Sequence, residues 1–133
     1  MTDKSKKILS EVSAGELLDK ISILEIKLNK IKNKNDLNFI KKEYDILKKT
    51  QDTFIKTDDE ILSLFNMLKD INLKLWDIED KLRICEKNKD FKEDFINLAR
   101  EVYLTNDKRA NIKLKINTIL GSGIREIKQY IKY

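Results

Sequence analysis

The chain contains no proline and no histidine, a single cysteine, Cys85, and three glycines, Gly15, Gly121 and Gly123. Without proline no helix loses a backbone donor, and with so little glycine no stretch reads as a flexible linker. Without histidine the usual imidazole base is absent, and mixed His-Cys zinc sites are excluded. One cysteine permits no intramolecular disulfide, and Cys85 falls on an apolar seam, where a free thiol behaves as a small hydrophobe. No apolar run is long enough for a secretory core or a membrane span, so the expectation is a soluble, cytoplasmic protein without membrane insertion.

What is present is the pattern of amphipathic helices. Hydrophobic residues make up 41% and charged residues 38% of the 133, a balance that suits helices around a narrow core rather than a disordered chain. The length fits one domain. Residues 1–12 read as a flexible N-terminal arm and residues 13–133 as one all-α antiparallel helical bundle built around a long helical hairpin.

The net charge of +5 raises the question of nucleic acid. Residues 1–57 hold 13 Lys and 9 acids, residues 58–104 hold 8 Lys or Arg and 12 acids, and residues 105–133 hold 7 and 2. An acidic middle between basic ends suits charge complementarity within a bundle better than a phosphate-binding stripe, and no basic run is interleaved with aromatics for base stacking. Nucleic acid is therefore not the expected partner.

Helix boundaries can be placed from local chemistry. Ser13-Ala14-Gly15-Glu16 has the arrangement of a capping box, opening a helix to about Lys32 with Leu17, Ile21, Leu24, Leu28 and Ile31 on one face. Asn33-Lys34-Asn35-Asp36 stops it and starts a second helix, with Asp36 as the expected N-cap. A third helix spans about 58–87 and a fourth about 91–120, with Gly121 as the C′ residue. Ile124, Ile127, Tyr130 and Ile131 suggest a short last helix. Thr105-Asn106-Asp107 could cap and split the fourth helix or be carried through it.

The third helix keeps a 3-4 seam of Ile61, Leu64, Leu68, Ile71, Leu75, Ile78, Leu82 and Cys85, whereas the fourth places Thr105 and Arg109 where apolar residues are due. The short polar turn at 87–90 makes these two helices antiparallel neighbours. Pairing about that turn gathers Trp76, Asp77, Glu79, Asp80, Arg83, Arg100, Tyr103, Asn106, Asp107 and Arg109 into one region. Three of the four arginines lie there, in a chain with 24 lysines, and arginine offers a planar fork suited to carboxylate or phosphate. One reading is structural: Arg100 pairs with Glu79, Arg109 pairs with Asp70 or Asp107, and the cluster sets helix register. The other is that Arg100, Arg109, Asn106 and Tyr103 bind a small anionic molecule between helices.

Two carboxylate pairs at helical spacing, Glu16 with Asp19 and Asp77 with Asp80, could each hold Mg²⁺. The repeated acidic motif of helical nucleotide pyrophosphatases is incomplete here, so these read as surface acids, and neither a metal nor another cofactor is expected.

Three motifs carry a resemblance: SAGELLDKISILEIKL at 13–28, LWDIEDKLRICE at 75–86 and LAREVYLTNDKRANIKLKIN at 98–117, followed by Gly121-Ser122. Together they resemble an uncharacterised family of small helical proteins of bacteria and phages, a domain of unknown function often encoded near surface-polysaccharide genes. The resemblance implies shared positions at Glu16, Asp19, Lys20, Glu25 and Lys27, at Trp76, Glu79, Asp80 and Arg83, and at Arg100, Tyr103, Asn106, Asp107 and Arg109. It implies no established activity, and glycan chemistry only by association.

These observations lead to a noncatalytic binding or accessory module that uses the polar cluster for an anionic ligand or a protein partner, in the setting of surface-polysaccharide assembly. The alternative is a Mg²⁺-dependent hydrolase or transferase acting on a nucleotide or nucleotide sugar. Long amphipathic helices that can complete a core by pairing also predict a homodimer.

Overall fold

Three of the four helices start where a side chain accepts from their orphan amides, and the last, which opens after Lys92, has no such cap. In the computed structural model, which describes residues 6–133, α1 (Ala14–Lys30), α2 (Lys34–Phe54), α3 (Asp59–Lys87) and α4 (Glu93–Ile119) follow in order. No strand occurs among the described residues. The Ser13 hydroxyl accepts from the Glu16 amide at 3.1 Å, and Asp58 caps α3 by accepting from Ile61 at 2.9 Å. For α2 the cap is Asn33, not Asp36: the Asn33 side chain accepts from the Asp36 amide at 3.1 Å, so the acid sits inside the first turn, where the helix dipole favours it.

The helix ends are equally specific. At α4, Gly121 has φ +66°, the Gly121 amide donates to Thr118 O, and the Ser122 amide donates to Asn117 O at 2.9 Å, a Schellman closure. The same closure ends α3, where Asp90 donates to Cys85 O at 2.9 Å, but the left-handed position is held by Lys89 at φ 52°.

The expected hairpin forms, yet the centre of the bundle is α1, which contacts each of the other helices while α2 packs on α1 alone. Leu17, Leu18 and Ile21 of α1 meet Ile61, Leu64, Phe65 and Leu68 of α3 and Ile112 and Ile116 of α4 in the core. On the α3 seam Ile61, Leu64, Leu68 and Ile78 are buried, whereas Leu82 and Cys85 are half-buried. Helix α4 runs unbroken through Thr105-Asn106-Asp107, and Thr105 is buried on the seam.

The short last helix expected over 124–131 does not form, and residues 124–133 are irregular. Gly121 ends α4, and so few residues cannot offset the cost of nucleating another helix without tertiary support. The segment instead lies along α4 as an arm, through Glu126 to Lys113 and Tyr133 to Asp107. At the other end residues 6–13 are non-helical, with Ile8 and Leu9 exposed; the first five residues of the expected N-terminal arm lie outside the described residues.

Candidate functional site

Two polar stripes face each other across the bundle. On α4, Thr105, Arg109, Lys113 and Asn117 recur every four residues and so share one face. On α1, Gly15, Asp19 and Ser22, spaced by four and then three, also share one face, and Asp19 is 1% exposed. The Arg109 guanidinium meets Asp19 side-on: Nε donates to Oδ1 at 2.9 Å and Nη2 donates to Oδ2. Asn72 of α3 donates to the same Oδ1 and to Ser22 Oγ, both at 2.8 Å, and the Ser22 hydroxyl donates to the Asp19 carbonyl at 2.7 Å.

Lys113 extends the network. Its Nζ lies 2.7 Å from Glu16 Oε2, 2.9 Å from Glu126 Oε2 on the arm and 3.9 Å from Asp19 Oδ2. Burial pulls the Lys113 pKa down, but the hydrogen bonds to Glu16 and Glu126 and the charge of Asp19 leave it raised. The hydrogen bond to Asp19 raises that of Arg109 against the effect of burial. Glu126 is lowered, chiefly by its hydrogen bond from Lys113. Gly15 lets the helices close: its amide donates to Asn117 Oδ1 at 2.6 Å, and a Cβ there would stand 2.5 Å from the Lys113 carbonyl oxygen. Among the described residues no buried side-chain polar atom lacks a partner.

Beside this satisfied layer lies an open groove of about 520 Å³ between α1, α3 and α4. Trp76, Glu79, Asp80, Arg83, Asn106 and Arg109 give it its chemistry, over Ile23, Ile26 and Leu75. Tyr103 and Asp107 lie elsewhere, in a second hollow between α4 and the C-terminal arm, and Asn106 borders both.

The sequence-derived cluster is thus divided. Arg109 pairs with Asp19, not with Asp70 or Asp107, because its face of α4 turns toward α1. Arg100 makes no ion pair with Glu79 or with any other described residue; it is exposed and borders neither hollow. In the first motif, Glu16 and Asp19 belong to the polar layer, while Lys20 pairs with Glu43 at 3.4 Å on the surface and the half-buried Glu25 pairs with Lys69 at 3.0 Å. The Lys27 side chain has no ion pair among the described residues, and its carbonyl accepts from Ile31 at the end of α1. Lys113, Asn117 and Glu126 were not anticipated. The four-residue recurrence on α4 was the available signal for the first two; nothing local marks Glu126.

Among the described residues no three His, Cys, Asp or Glu side chains converge to hold a metal ion. Lys113 stands between Glu16 and Asp19, and Asp77 lies outside the groove that Asp80 borders. No described helix is long and apolar enough to cross a membrane.

No curated protein and no solved structure matches the chain. A model of a family of unknown function, DUF6165, matches residues 8–132, a span that includes both polar stripes, the groove and nearly all of the C-terminal arm, and the chain belongs to that family.

Proposed function

We propose that the protein is a noncatalytic binding module that takes a hydroxyl-rich ligand of saccharide type in the groove between α1, α3 and α4. The observation that carries this reading is Trp76. Its indole is half-buried at the groove, with no hydrogen-bond partner for its N–H among the described residues, next to an Arg109 already fixed by Asp19. An aromatic face suits the C–H face of a sugar ring, and the indole N–H is left for a ligand oxygen. The surrounding forks both donate, through Arg83 and Arg109, and accept, through Glu79 and Asp80, with Asn106 able to do either.

Charge refines the expected ligand. Two guanidiniums face two carboxylates on the groove wall, and Asp19 lies beneath Arg109, so a bare anion finds no excess of positive charge. A neutral or weakly charged polyol matches better, and the surface-polysaccharide setting implied by the resemblance agrees with such a ligand. The homodimer expectation belongs to this reading, because only α4 accompanies the distal part of α3; a monomer by light scattering at high concentration overturns that part.

Trp76 is the chain's one tryptophan, so its fluorescence reports on the groove directly. Titration with a panel of sugars, sugar phosphates and nucleotide sugars is expected to give a saturable change with at least one, accompanied by a rise in Tm. The change is expected to be lost in Arg83→Ala and Asn106→Ala, neither of which touches the Asp19 layer. A flat response across the panel overturns the reading.

A further inference from the structure

The hollow between α4 and the arm has a composition unlike the groove. Its volume is about 560 Å³, and Tyr103, Tyr130 and Tyr133, three of the chain's four tyrosines, border it. The rings of Tyr103 and Tyr133 stand edge to face, with centroids 5.6 Å apart and planes at 73°, so they form two walls of a corner rather than a stack. Asp107 lies one turn along α4 from Tyr103 and borders the same space. It accepts from the Tyr133 hydroxyl through Oδ2, and its carboxylate has no cationic partner among the described residues. Lys128 also borders the hollow, but Glu126 answers its charge at 3.6 Å within the arm.

A set of rings serving only to anchor the arm would be expected to bury its faces. Here Tyr130 is 71% and Tyr133 80% exposed, and the arm is held independently by the ion pair of Glu126 with the buried Lys113. Aromatic faces carry partial negative charge and attract a cation positioned over them, most effectively one that is weakly hydrated. An unpaired carboxylate beside those faces adds to the same field. We propose that this hollow is a binding site for a quaternary ammonium group of the choline type. The trimethylammonium head lies in the corner of Tyr103 and Tyr133, with Tyr130 on the open side and Asp107 supplying the counter-charge. The site shares only Asn106 with the groove and does not depend on what the groove binds.

The test is titration of the intact protein with choline and with tetramethylammonium, followed by NMR of the tyrosine rings, with 3,3-dimethylbutan-1-ol as the neutral isostere of choline. Both cations are expected to shift the Tyr103 and Tyr133 resonances saturably, with the neutral isostere weaker by about fivefold or more. Tyr130→Leu and Tyr133→Leu, at exposed positions that leave the core intact, are each expected to weaken choline by about two- to fivefold. Asp107→Asn is expected to weaken the cations and leave the isostere unchanged. Phosphatidylcholine vesicles are tried in parallel: co-sedimentation abolished by Tyr133→Leu assigns the group to a lipid head, and binding of soluble choline alone assigns it to a free cation, either result supporting the site. Absence of saturable shifts with both cations, together with no Tyr133-dependent vesicle binding, overturns the proposal, as does equal affinity for the neutral isostere.

Discussion

Asp19 of α1 takes the Nε edge of the Arg109 guanidinium from α4, with Nε donating to Oδ1 at 2.9 Å, and the carboxylate that accepts it is 1% exposed. Removing one partner strands the other. Asp19→Ala is expected to destabilise the protein by about 3 kcal/mol, the lower end of the range for a broken buried pair, because Arg109 keeps some contact with water. The double variant Asp19→Leu with Arg109→Met is expected to recover part of that loss. Urea unfolding of Asp19→Leu, Arg109→Met and the double variant measures the coupling; additive losses would mean that the pair does not act as a unit.

Gly15 sits in a helix, where alanine is ordinarily favoured by about 1 kcal/mol. Here Gly15→Ala is expected to destabilise by about 1–3 kcal/mol, because the added methyl meets the Lys113 backbone at 2.5 Å and the stripes must separate. An unchanged or raised Tm would show that α1 and α4 can part without loss.

Lys89 presents the opposite case. It occupies a left-handed position at φ 52° that glycine adopts without steric cost, in an exposed turn with no packing to lose. Lys89→Gly is expected to raise stability by about 0.5–1 kcal/mol, read as a higher urea midpoint with an unchanged slope.

Docking of the C-terminal arm is expected to depend on pH at both extremes. Glu126 has a lowered pKa, so its contribution is present above the usual 4.5 and is lost as the pH falls through the lower value it has in the folded state. Lys113 has a raised pKa, so its contribution is present below the usual 10.5 and is lost as the pH rises through its higher folded value. Tyrosine ring resonances of the arm, followed against pH, should move toward unstructured values at both ends. Glu126→Gln should abolish the acid limb while leaving the α1–α4 core folded; an acid limb that persists would place the titration elsewhere.

Much of this architecture was legible along the chain. Gly121 and the short turn at 87–90 act over a few residues, so each could be read in place and each is found as expected. Of the Ser13–Glu16 box the Ser13 half forms while the Glu16 carboxylate goes to Lys113, and the α3 seam is buried at Ile61, Leu64, Leu68 and Ile78 but half-buried at Ile71, Leu75, Leu82 and Cys85. Asn33 displaced Asp36 as the α2 cap because both are competent acceptors, and the choice depends on where the first turn closes. The site was harder. Periodicity showed that Arg109 faced inward, but a hairpin register names only the partners on α3, whereas the carboxylate comes from α1. The last helix failed for a related reason: Ile124, Ile127 and Ile131 have helical spacing, but the residues that hold the arm, Glu126 and Tyr133, answer to Lys113 and Asp107. Spacing within one segment carries no information about a partner far along the chain.

That separation has a consequence for how the molecule is made. Asp19 and Arg109 lie 90 residues apart, so during synthesis α1 exists for roughly 5–20 seconds before its counter-charge has been translated. Through that interval a carboxylate stands in the middle of the surface that will become the core, and sealing α1 against α2 and α3 alone would bury it without Arg109 or Lys113. The polar stripe thereby opposes premature closure of a three-helix intermediate. Closure of the core is thus favoured only once α4 brings Arg109 and Lys113, so the order of synthesis as well as the final packing bears on when α1 can be sealed.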